Sequence, residues 1–284
     1  MSLLQDFGFG SCFIQESHNE FERLILSSAQ KALSKSKSDI DSISQLFWYS
    51  GIEAGDETRH NDNVLNLFRY PVSRLRHELG LTKANSITLS QQGCGGLLSS
   101  IYLAKQLLVA SEVEKDAVLC VAADVFPHWA KREIMYNIMS DATAALVVSK
   151  EAGNNRIVHF HQTFQSYYWD TPKHEDELLA SYFPIAQRTI ENTVHQAGLT
   201  LADIKWFIPH NVSLKSWEIL AKLLNVPIKK IWTNNIARIG HTVSCDHIIN
   251  LVDMESEGAL NEGDYLALFT FGFGANWSCL ILQH

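Results

Sequence analysis

Cys94 is the residue of this chain best placed for covalent chemistry. It follows an apolar, β-branched stretch at Ser86–Leu89 that predicts a strand, and it precedes an apolar helix predicted from about Gly95 to Ala110. Unpaired backbone N–H groups and the helix dipole at a helix N-terminus favour a thiolate over a thiol. The glycines around the cysteine leave room for a substrate. A nucleophile and a buried structural cysteine are both compatible with this local pattern.

Two histidines lie at turns of a similar kind. Pro209 ends an apolar strand and places His210 in the loop at its carboxyl end, where ligand sites of α/β proteins concentrate. His241 lies in a Gly-His-Thr turn at a predicted helix start, where the dipole favours a neutral imidazole that donates from Nε2. For each histidine, a structural role is the alternative to a catalytic one. His247 is predicted to lie on a different helix face, outside the site.

The glycine-rich segment "FTFGFGANWSCLIL" superficially matches a dinucleotide-binding motif, but another strand follows its glycines instead of a helix. It therefore predicts a tight turn whose backbone N–H groups bind an oxyanion. One cysteine and two histidines from separate turns suit acyl transfer. The thiolate accepts an acyl group, the backbone donors stabilise the tetrahedral oxyanion, and the imidazoles polarise a second carbonyl.

The composition argues against several other classes of protein. The 284 residues are 46% hydrophobic and 19% charged with a net charge of −8, which is ordinary for a soluble protein and unfavourable for nucleic-acid binding. The five cysteines are widely spaced without metal-ligand spacing, so we expect neither a disulfide framework nor a structural metal. We also expect no cofactor. The N-terminus lacks a signal-peptide pattern, and apolar runs such as Ala142–Val148 are too short to span a bilayer. We expect a reduced, cytoplasmic protein without a membrane partner.

The elements around these residues form an internal repeat. Helical patterns at Phe21–Ser34 and at Phe183–Ala197 each lead through an acidic turn into an apolar strand. Further along, Cys94 opens a helix in the first unit, and His241 opens one, at about Val243–Glu255, in the second. The offset is roughly 150–160 residues, as in a duplicated unit. Helices that alternate with apolar strands predict an α/β fold with parallel sheets covered by helices on both faces.

The repeat divides the chain into a first half, 1–164, with the cysteine, and a second half, 165–284, with both histidines. Two-fold pseudosymmetry would bring the turns at Cys94 and His241 together at the junction of the halves. Further helices are predicted near Val64–Leu79 and Leu214–Leu224, and a short strand at Ile231-Trp232. The irregular aromatic stretch Gln165–Ala180 is either a loop over a substrate entrance or a surface loop with packed aromatic residues.

With these residues in place, the chain resembles the thiolase-fold condensing enzymes, and most closely β-ketoacyl-acyl-carrier-protein synthase III. Four segments carry the resemblance in the same order along the chain: "QQGCGG", "MSDATAALVVS", "WFIPHNVSLKSWEILAKLLNVP" and "FTFGFGANWSCLIL". The resemblance implies thiolase-like duplicated α/β halves, layered helix-sheet-helix-sheet-helix.

The resemblance also implies roles for individual residues. Cys94 would carry the acyl group, with an oxyanion hole formed by the backbone N–H groups of Cys94 and Phe273. His210 would bind the thioester carbonyl of the second substrate and help to expel carbon dioxide. Lys215 matches a basic position that faces an acyl carrier protein in the family, and Asp141 lies in a structural motif. The implied partners are acyl carrier protein or coenzyme A thioesters and a second copy of the chain in a homodimer.

The sequence departs from synthase III at three places. His241 stands where synthase III members carry asparagine, which gives a Cys-His-His trio similar to that of the elongating ketoacyl synthases. The family's first strand and its Trp-and-Arg segment, which grips coenzyme A, have no recognisable counterpart before Phe21. In "MSDATAALVVS" the family's glycines are replaced, and two glutamines replace alanines before the nucleophile. These changes indicate a specialised, divergent member.

The leading hypothesis is a ketoacyl synthase III-like acyltransferase of specialised polyketide or fatty-acyl biosynthesis. It would acylate Cys94 and then condense the acyl group with a malonyl-type thioester in a decarboxylative Claisen reaction. The first alternative is an acyltransferase that makes an ester or amide, with His210 as general base. The second is a non-catalytic partner subunit of a heteromeric ketosynthase, against which the joint presence of Cys94, His210 and His241 argues.

Overall fold

Two four-stranded sheets frame the molecule in a computed structural model, which describes residues 2–52, 65 and 68–284. The strands are β1 (Ile43–Tyr49), β2 (Asn85–Leu89), β3 (Ala117–Asp124), β4 (Glu133–Ile134), β5 (Asn137–Ile138), β6 (Ala142–Ser149), β7 (Arg156–Phe164), β8 (Ile204–Pro209), β9 (Tyr265–Gly272) and β10 (Asn276–Gln283). The helices are α1 (Ser2–Asp6), α2 (His18–Lys35), α3 (Pro71–Glu78), α4 (Gly96–Ala110), α5 (Glu175–Gln196), α6 (Leu214–Leu223), α7 (Asn234–Ile239) and α8 (Asp246–Ser256). The predicted α/β class is confirmed, but both sheets are mixed instead of parallel, since β6 pairs antiparallel with β3, and β10 pairs antiparallel with β7 and β9.

The two sheets are built from corresponding strands. The first has the order β2-β1-β3-β6 and the second the order β7-β10-β9-β8. β1 runs parallel to β3, and β6 runs antiparallel to β3. In the same way β8 runs parallel to β9, and β10 runs antiparallel to β9. The strands β1, β3 and β6 therefore correspond in order and direction to β8, β9 and β10, as a duplicated unit requires.

The apolar pattern explains which strands lie at the centre. Every residue of β3 is buried, and β9 and β10 are buried except at one end each. Continuous apolar runs of this kind are typical of strands that are covered on both faces. β2, at the edge of the first sheet, is instead largely exposed.

Helix α4 is the shared core between the two sheets. Its residues Leu97, Leu98 and Ile101 pack in one apolar cluster with Val118 of the first sheet and Leu280 of the second. By length and composition alone, the 18 residues Gly93–Ala110 would suffice to cross a membrane, but 50% of that segment is buried inside the protein. Burial between two sheets accounts for its apolar character on nearly all sides.

β7 is the main difference from the predicted division of the chain. The predicted first half extends to residue 164, but β7 pairs along its length with β10 of the second sheet, which therefore begins at Arg156. At the other end of the chain, Leu4 and Phe9 also pack in the core of the second half. Strand pairing depends on residues far away in sequence, and the apolar pattern of a single segment does not report it.

Most predicted helices are present with shifted ends. α2, α5 and α6 correspond to the predictions at Phe21–Ser34, Phe183–Ala197 and Leu214–Leu224. The helix predicted at Val64–Leu79 corresponds to α3, and its residues 64 and 66–67 lie outside the described residues. The strand predicted at Ile231-Trp232 is a single bridge between Ile231 and Phe207.

The start of α4 is packed against the end of β1 without room for a side chain. A Cβ atom built on Gly96 would lie 1.8 Å from the ring of Tyr49. The Tyr49 hydroxyl donates a hydrogen bond to the carbonyl oxygen of Gly93 at 2.5 Å. This contact attaches the turn before α4, which carries Cys94, to the first sheet.

We expect Gly96→Ala to lower the free energy of unfolding by about 1–3 kcal/mol, because the added methyl group forces the Tyr49 ring or the helix to move. Gly153→Ala is the matched control, since a Cβ atom at Gly153 meets nothing within 4 Å. Urea denaturation of both variants measures the difference. Equal stabilities would contradict the close packing of Gly96 on Tyr49.

Candidate active site

Cys94 lies in a 3₁₀ turn, Gly93–Gly95, directly before α4. The backbone of Gly93 has a φ of +51°, a conformation that favours glycine. A Cβ atom at Gly93 would lie 2.5 Å from the backbone nitrogen of Phe273. Cys94 itself is only 5% exposed. The cysteine turn of the first half is therefore pressed against the glycine turn that follows β9 in the second half.

His241 is the histidine in direct contact with Cys94. Its Nε2 lies 3.2 Å from Cys94 Sγ, and its Nδ1 lies 2.5 Å from Asp246 Oδ2. Asp246 also accepts hydrogen bonds from the backbone N–H groups of Thr242 and of Asn211, both at 2.7 Å. Cys94, His241 and Asp246 thus form one hydrogen-bonded chain whose carboxylate is buried and well bonded.

The charges of the two residues that contact His241 decide its protonation. Burial disfavours its imidazolium, but the negative charges of Asp246 and Cys94 outweigh burial and raise the pKa of His241 well above its usual range. Burial also opposes the carboxylate of Asp246, yet the charge and the hydrogen bond of His241 hold the pKa of that carboxyl below its usual value. The sequence-based expectation of a neutral His241 at a helix start is not met, because α8 begins only at Asp246 and the carboxylate of that residue contacts the imidazole.

His210 lies at the end of β8 and has the opposite character. The centroids of its ring and the His241 ring are 5.8 Å apart. Its Nε2 lies 3.4 Å from the hydroxyl of Tyr182, and its Nδ1 has no hydrogen-bond partner among the described residues. Burial, and after it the charges of His241 and His247, lower the pKa of His210 well below its usual range. His210 is therefore a neutral imidazole.

A second buried carboxylate fastens the loop that carries His241. Asp124, at the end of β3, accepts hydrogen bonds from the backbone N–H of Ser244 at 3.1 Å and from the Ser244 hydroxyl. It also accepts from the backbone N–H of Gly51 at 2.7 Å. Burial raises the pKa of Asp124 in spite of these bonds. Val243 has a φ of +58°, which is rare for a β-branched residue and fits a loop that is held from both halves.

The two turns predicted to form the oxyanion hole are tied together. Asn276 donates from Nδ2 to the carbonyl oxygen of Gln92 at 3.1 Å and to that of Gly272 at 3.3 Å. A Cβ atom at Gly272 would lie 2.0 Å from the same Gln92 oxygen, so only glycine fits there. This contact places the backbone of Phe273 beside the cysteine turn. The oxyanion hole formed by the N–H groups of Cys94 and Phe273 remains a prediction that this geometry allows.

Lys215 lies apart from the buried trio, exposed on the first turn of α6. Its Nζ lies 4.7 Å from the centroid of the Phe7 ring, a cation–π contact. Phe7 in turn stacks on Tyr136 with 5.1 Å between the centroids. The contact of Lys215 with a carrier protein remains a prediction.

Two residues that the sequence analysis leaves outside the catalytic set have structural partners. Asp141 forms a two-point ion pair with Arg132 at 2.5 and 3.0 Å and accepts from the backbone N–H of Gln15 at 2.8 Å. His247 is buried, and its Nε2 lies 3.0 Å from the carbonyl oxygen of Phe269. Both sets of contacts fix backbone segments around the site.

Sequence reasoning missed Asp246, Asp124 and Tyr182. Asp246 follows His241 by five residues at the start of α8, where an acidic residue has an ordinary role in complementing the helix dipole. An aspartate so close to a candidate catalytic histidine was the signal available. Asp124 and Tyr182 reach the site from other elements, and their spacing to the cysteine and the histidines carries no local pattern.

The trio and its carboxylate can support nucleophilic chemistry at a carbonyl. A protonated imidazole stabilises a thiolate, which is the reactive form of cysteine. A carboxylate at the other ring nitrogen fixes the tautomer and the orientation of the histidine. His210, neutral and buried, adds a polar group close to the same point.

Comparison with known proteins finds similarity to synthase III proteins. A family model described as 3-oxoacyl-[acyl-carrier-protein (ACP)] synthase III C terminal matches residues 194–284. A β-ketoacyl-[acyl-carrier-protein] synthase III 2 of Deinococcus radiodurans is 32% identical over 105 residues, which are 36% of this chain and 31% of that protein. A β-ketoacyl-[acyl-carrier-protein] synthase III of Brucella anthropi is 24% identical over 241 residues, which are 75% of this chain and 73% of that protein.

Solved structures share the fold over nearly the whole chain. The acyltransferase ChlB3 superposes with a TM-score of 0.84 at 20% identity and covers 100% of this chain and 89% of its own. The 3-oxoacyl-[acyl-carrier-protein] synthase III of Aquifex aeolicus gives a TM-score of 0.81 at 17% identity, over 98% of this chain and 88% of its own. The OleA protein of Xanthomonas campestris gives a TM-score of 0.81 at 17% identity, over 100% of this chain and 88% of its own.

The duplicated sheets and these superpositions show a thiolase-like fold, and the fold class predicted from the resemblance is confirmed. Within that fold, the chain is similar in sequence to proteins named β-ketoacyl-[acyl-carrier-protein] synthase III.

We expect Asp246→Asn to slow the alkylation of Cys94 by iodoacetamide at neutral pH by roughly 10- to 100-fold, because the carboxylate is the strongest influence that keeps His241 protonated. Asp253→Asn is the matched control on the same helix, since Asp253 bonds Asn235 and Arg238 instead of the trio. Mass spectrometry of the peptide that contains Cys94 measures the rate. Equal rates in the two variants would contradict the role of Asp246.

The same ion pair predicts a pH dependence of stability. The raised pKa of His241 adds stability below its unfolded pKa, and this is lost as pH rises through the folded value. The lowered pKa of Asp246 adds stability above its unfolded pKa, and this is lost as pH falls through the folded value. The stability gap between the wild type and Asp246→Asn should therefore be widest at roughly pH 4 to 6.5 and shrink on both sides. Urea denaturation at several pH values measures it, and a pH-independent gap would contradict the pair.

Proposed function

We propose that the chain is an acyl-thioester transferase that carries an acyl group on Cys94 and condenses it with a malonyl-type thioester, in specialised polyketide or fatty-acyl biosynthesis. The observation that carries this proposal is the contact of Cys94 Sγ with His241 Nε2 at 3.2 Å, backed by Asp246 at His241 Nδ1. A buried thiolate next to an imidazolium is a strong and selective nucleophile.

In the first half-reaction, the Cys94 thiolate attacks the carbonyl carbon of the donor thioester. The tetrahedral oxyanion lies at the backbone N–H groups of Cys94 and Phe273. The bond from carbon to the donor sulfur then breaks, and the departing thiolate takes the proton from His241 Nε2. The products are acyl-Cys94, a neutral His241 that keeps its Nδ1–H bond to Asp246, and a free thiol.

In the second half-reaction, the malonyl-type thioester loses carbon dioxide. The electron pair of the broken C–C bond moves into the thioester, and the resulting enolate carbon attacks the acyl carbonyl. Cys94 leaves as a thiolate, and a β-ketoacyl thioester is formed. His210 supports this step, because its low pKa keeps it a neutral donor and its ring lies 5.8 Å from that of His241.

Acyl transfer to a hydroxyl or an amine is the second candidate, and Asp246 favours it. Once His241 has given up its proton, its Nε2 is a general base whose other nitrogen is held by a carboxylate. It would take the proton of the acceptor while the acceptor oxygen or nitrogen attacks acyl-Cys94 and the thiolate leaves. The similarity to ChlB3, an acyltransferase, supports this reading. In this second candidate the general base is His241, whereas the sequence analysis gave that role to His210.

The donors and partners proposed are acyl carrier protein or coenzyme A thioesters. Lys215 supports a carrier-protein contact, since it is exposed on the first turn of α6, the helix that follows the His210 loop. A homodimer is also proposed, in line with the exposed edge strand β2, and a heteromeric partner subunit is the remaining alternative. We propose further that the chain works in the cytoplasm.

We expect an acyl thioester such as acetyl-coenzyme A or an acyl carrier protein loaded with a short acyl chain to add one acyl mass to the intact protein. Cys94→Ala should show no adduct, whereas Cys12→Ala, at a partly exposed cysteine, should behave as the wild type. Intact-mass spectrometry measures both. No adduct with any donor would favour the partner-subunit alternative, and an adduct in Cys94→Ala would refute the site.

The acceptor is identified by discharging the isolated acyl-enzyme. Condensation predicts release of labelled carbon dioxide from malonyl thioester in equal amount to the acyl group lost, and His210→Ala should slow this step by about 100-fold or more. His159→Ala is the control, because His159 bonds Gln196 on the surface. Discharge by alcohols or amines alone, without carbon dioxide release, would reject condensation and support the second candidate.

A further inference from the structure

Tyr182 lies at the site although no sequence motif includes it. It belongs to α5, its side chain is half-buried, and its hydroxyl lies 3.4 Å from His210 Nε2. Its ring meets the ring of Phe271 edge to face with 5.5 Å between the centroids. Phe271 is part of β9, which leads into the turn of Phe273. The tyrosine is thus held between the His210 loop and the strand that leads to the oxyanion turn.

The tautomer of His210 follows from its surroundings. Its Nδ1 is buried and has no hydrogen-bond partner in the described part of the chain. A proton on Nδ1 would leave a buried N–H without an acceptor, which is unfavourable. A proton on Nε2 instead finds the oxygen of Tyr182 as its acceptor. In this arrangement the Tyr182 hydroxyl is available to donate a hydrogen bond to another acceptor.

The hydroxyl of Tyr182 lies close enough to Cys94 to feel its charge. Burial, and after it the negative charge of Cys94, raise the pKa of Tyr182 above its usual range. The hydroxyl therefore keeps its proton throughout the physiological range. With the proton of His210 on Nε2, His210 and Tyr182 form a two-member donor chain that ends at the Tyr182 hydroxyl.

We propose that Tyr182 is a substrate-binding residue, whose hydroxyl donates a hydrogen bond to the carbonyl oxygen of the second thioester. His210 Nε2–H bonds the Tyr182 oxygen from behind and so strengthens the donor. This inference rests on the proposed function. As negative charge develops on the thioester oxygen during loss of carbon dioxide, the hydroxyl and the imidazole behind it polarise together, which makes the bond stronger in the transition state than in the ground state. His210 then acts on the substrate through Tyr182.

The test compares Tyr182→Phe with Tyr168→Phe. Tyr168 is the matched control. Its hydroxyl forms a 2.8 Å hydrogen bond with Ser181 of α5, the helix that also carries Tyr182, and it does not contact His210. We expect acyl-Cys94 to form at the wild-type rate in both variants. Discharge by malonyl thioester should slow by about 100- to 1,000-fold in Tyr182→Phe alone, with the loss in kcat instead of KM. Intact-mass time courses and steady-state kinetics measure the two steps.

A second measurement needs no turnover. In ¹⁵N-histidine-labelled protein, the His210 signal, assigned by its loss in His210→Ala, should show a proton on Nε2 whose chemical shift changes in Tyr182→Phe and not in Tyr168→Phe. A proton on Nδ1 in the wild type would overturn the inference. So would unchanged discharge by Tyr182→Phe, or equal slowing of both half-reactions, which indicates packing alone. A wild type that forms no acyl adduct rejects the proposed function and, with it, this role of Tyr182.

Discussion

The buried ion pair of Asp246 and His241 is the constraint on which the rest of the site depends. A carboxylate without solvent persists only when opposite charge and hydrogen-bond donors surround it. Here the donors come from His241, from the backbone of Thr242 and from the backbone of Asn211, next to His210. The hydrogen bonds to the Asp246 carboxylate therefore join the end of β8, the loop before α8 and the start of α8. Both histidines gain their positions from this requirement.

The cysteine is contributed by the other half of the chain, and the two halves meet through contacts that exclude side chains. Gly93 and Gly272 allow the backbones of the two turns to touch, and Asn276 bonds the carbonyl oxygens on both sides. Asp124 reaches from β3 to Ser244 in the same way. Duplication of the fold explains why equivalent turns face each other. The bonds between the turns explain why their separation is short enough for Cys94 to touch His241.

The two histidines then differ because their neighbours differ. His241 faces two negative groups and carries a proton, whereas His210 faces two other histidines and aromatic rings and stays neutral. This asymmetry separates the work of the two rings. In the proposed reaction, the His241 imidazolium stabilises the Cys94 thiolate and then gives its proton to the departing thiolate of the donor. In the same proposal, His210 acts on the second thioester together with Tyr182.

The α/β class, the internal repeat, the turn of Cys94 and the approximate places of His210 and His241 could be predicted from the sequence. Each depends on residues that are close neighbours along the chain: an apolar run, a proline at its end, a glycine pair before a helix. The sheet to which β7 belongs, the carboxylates of Asp246 and Asp124 beside the histidine loop and the charge of His241 were decided only by the tertiary structure. Strand pairing, burial and electrostatic fields depend on groups that the fold brings together from distant parts of the sequence, and spacing along the chain does not record those distances.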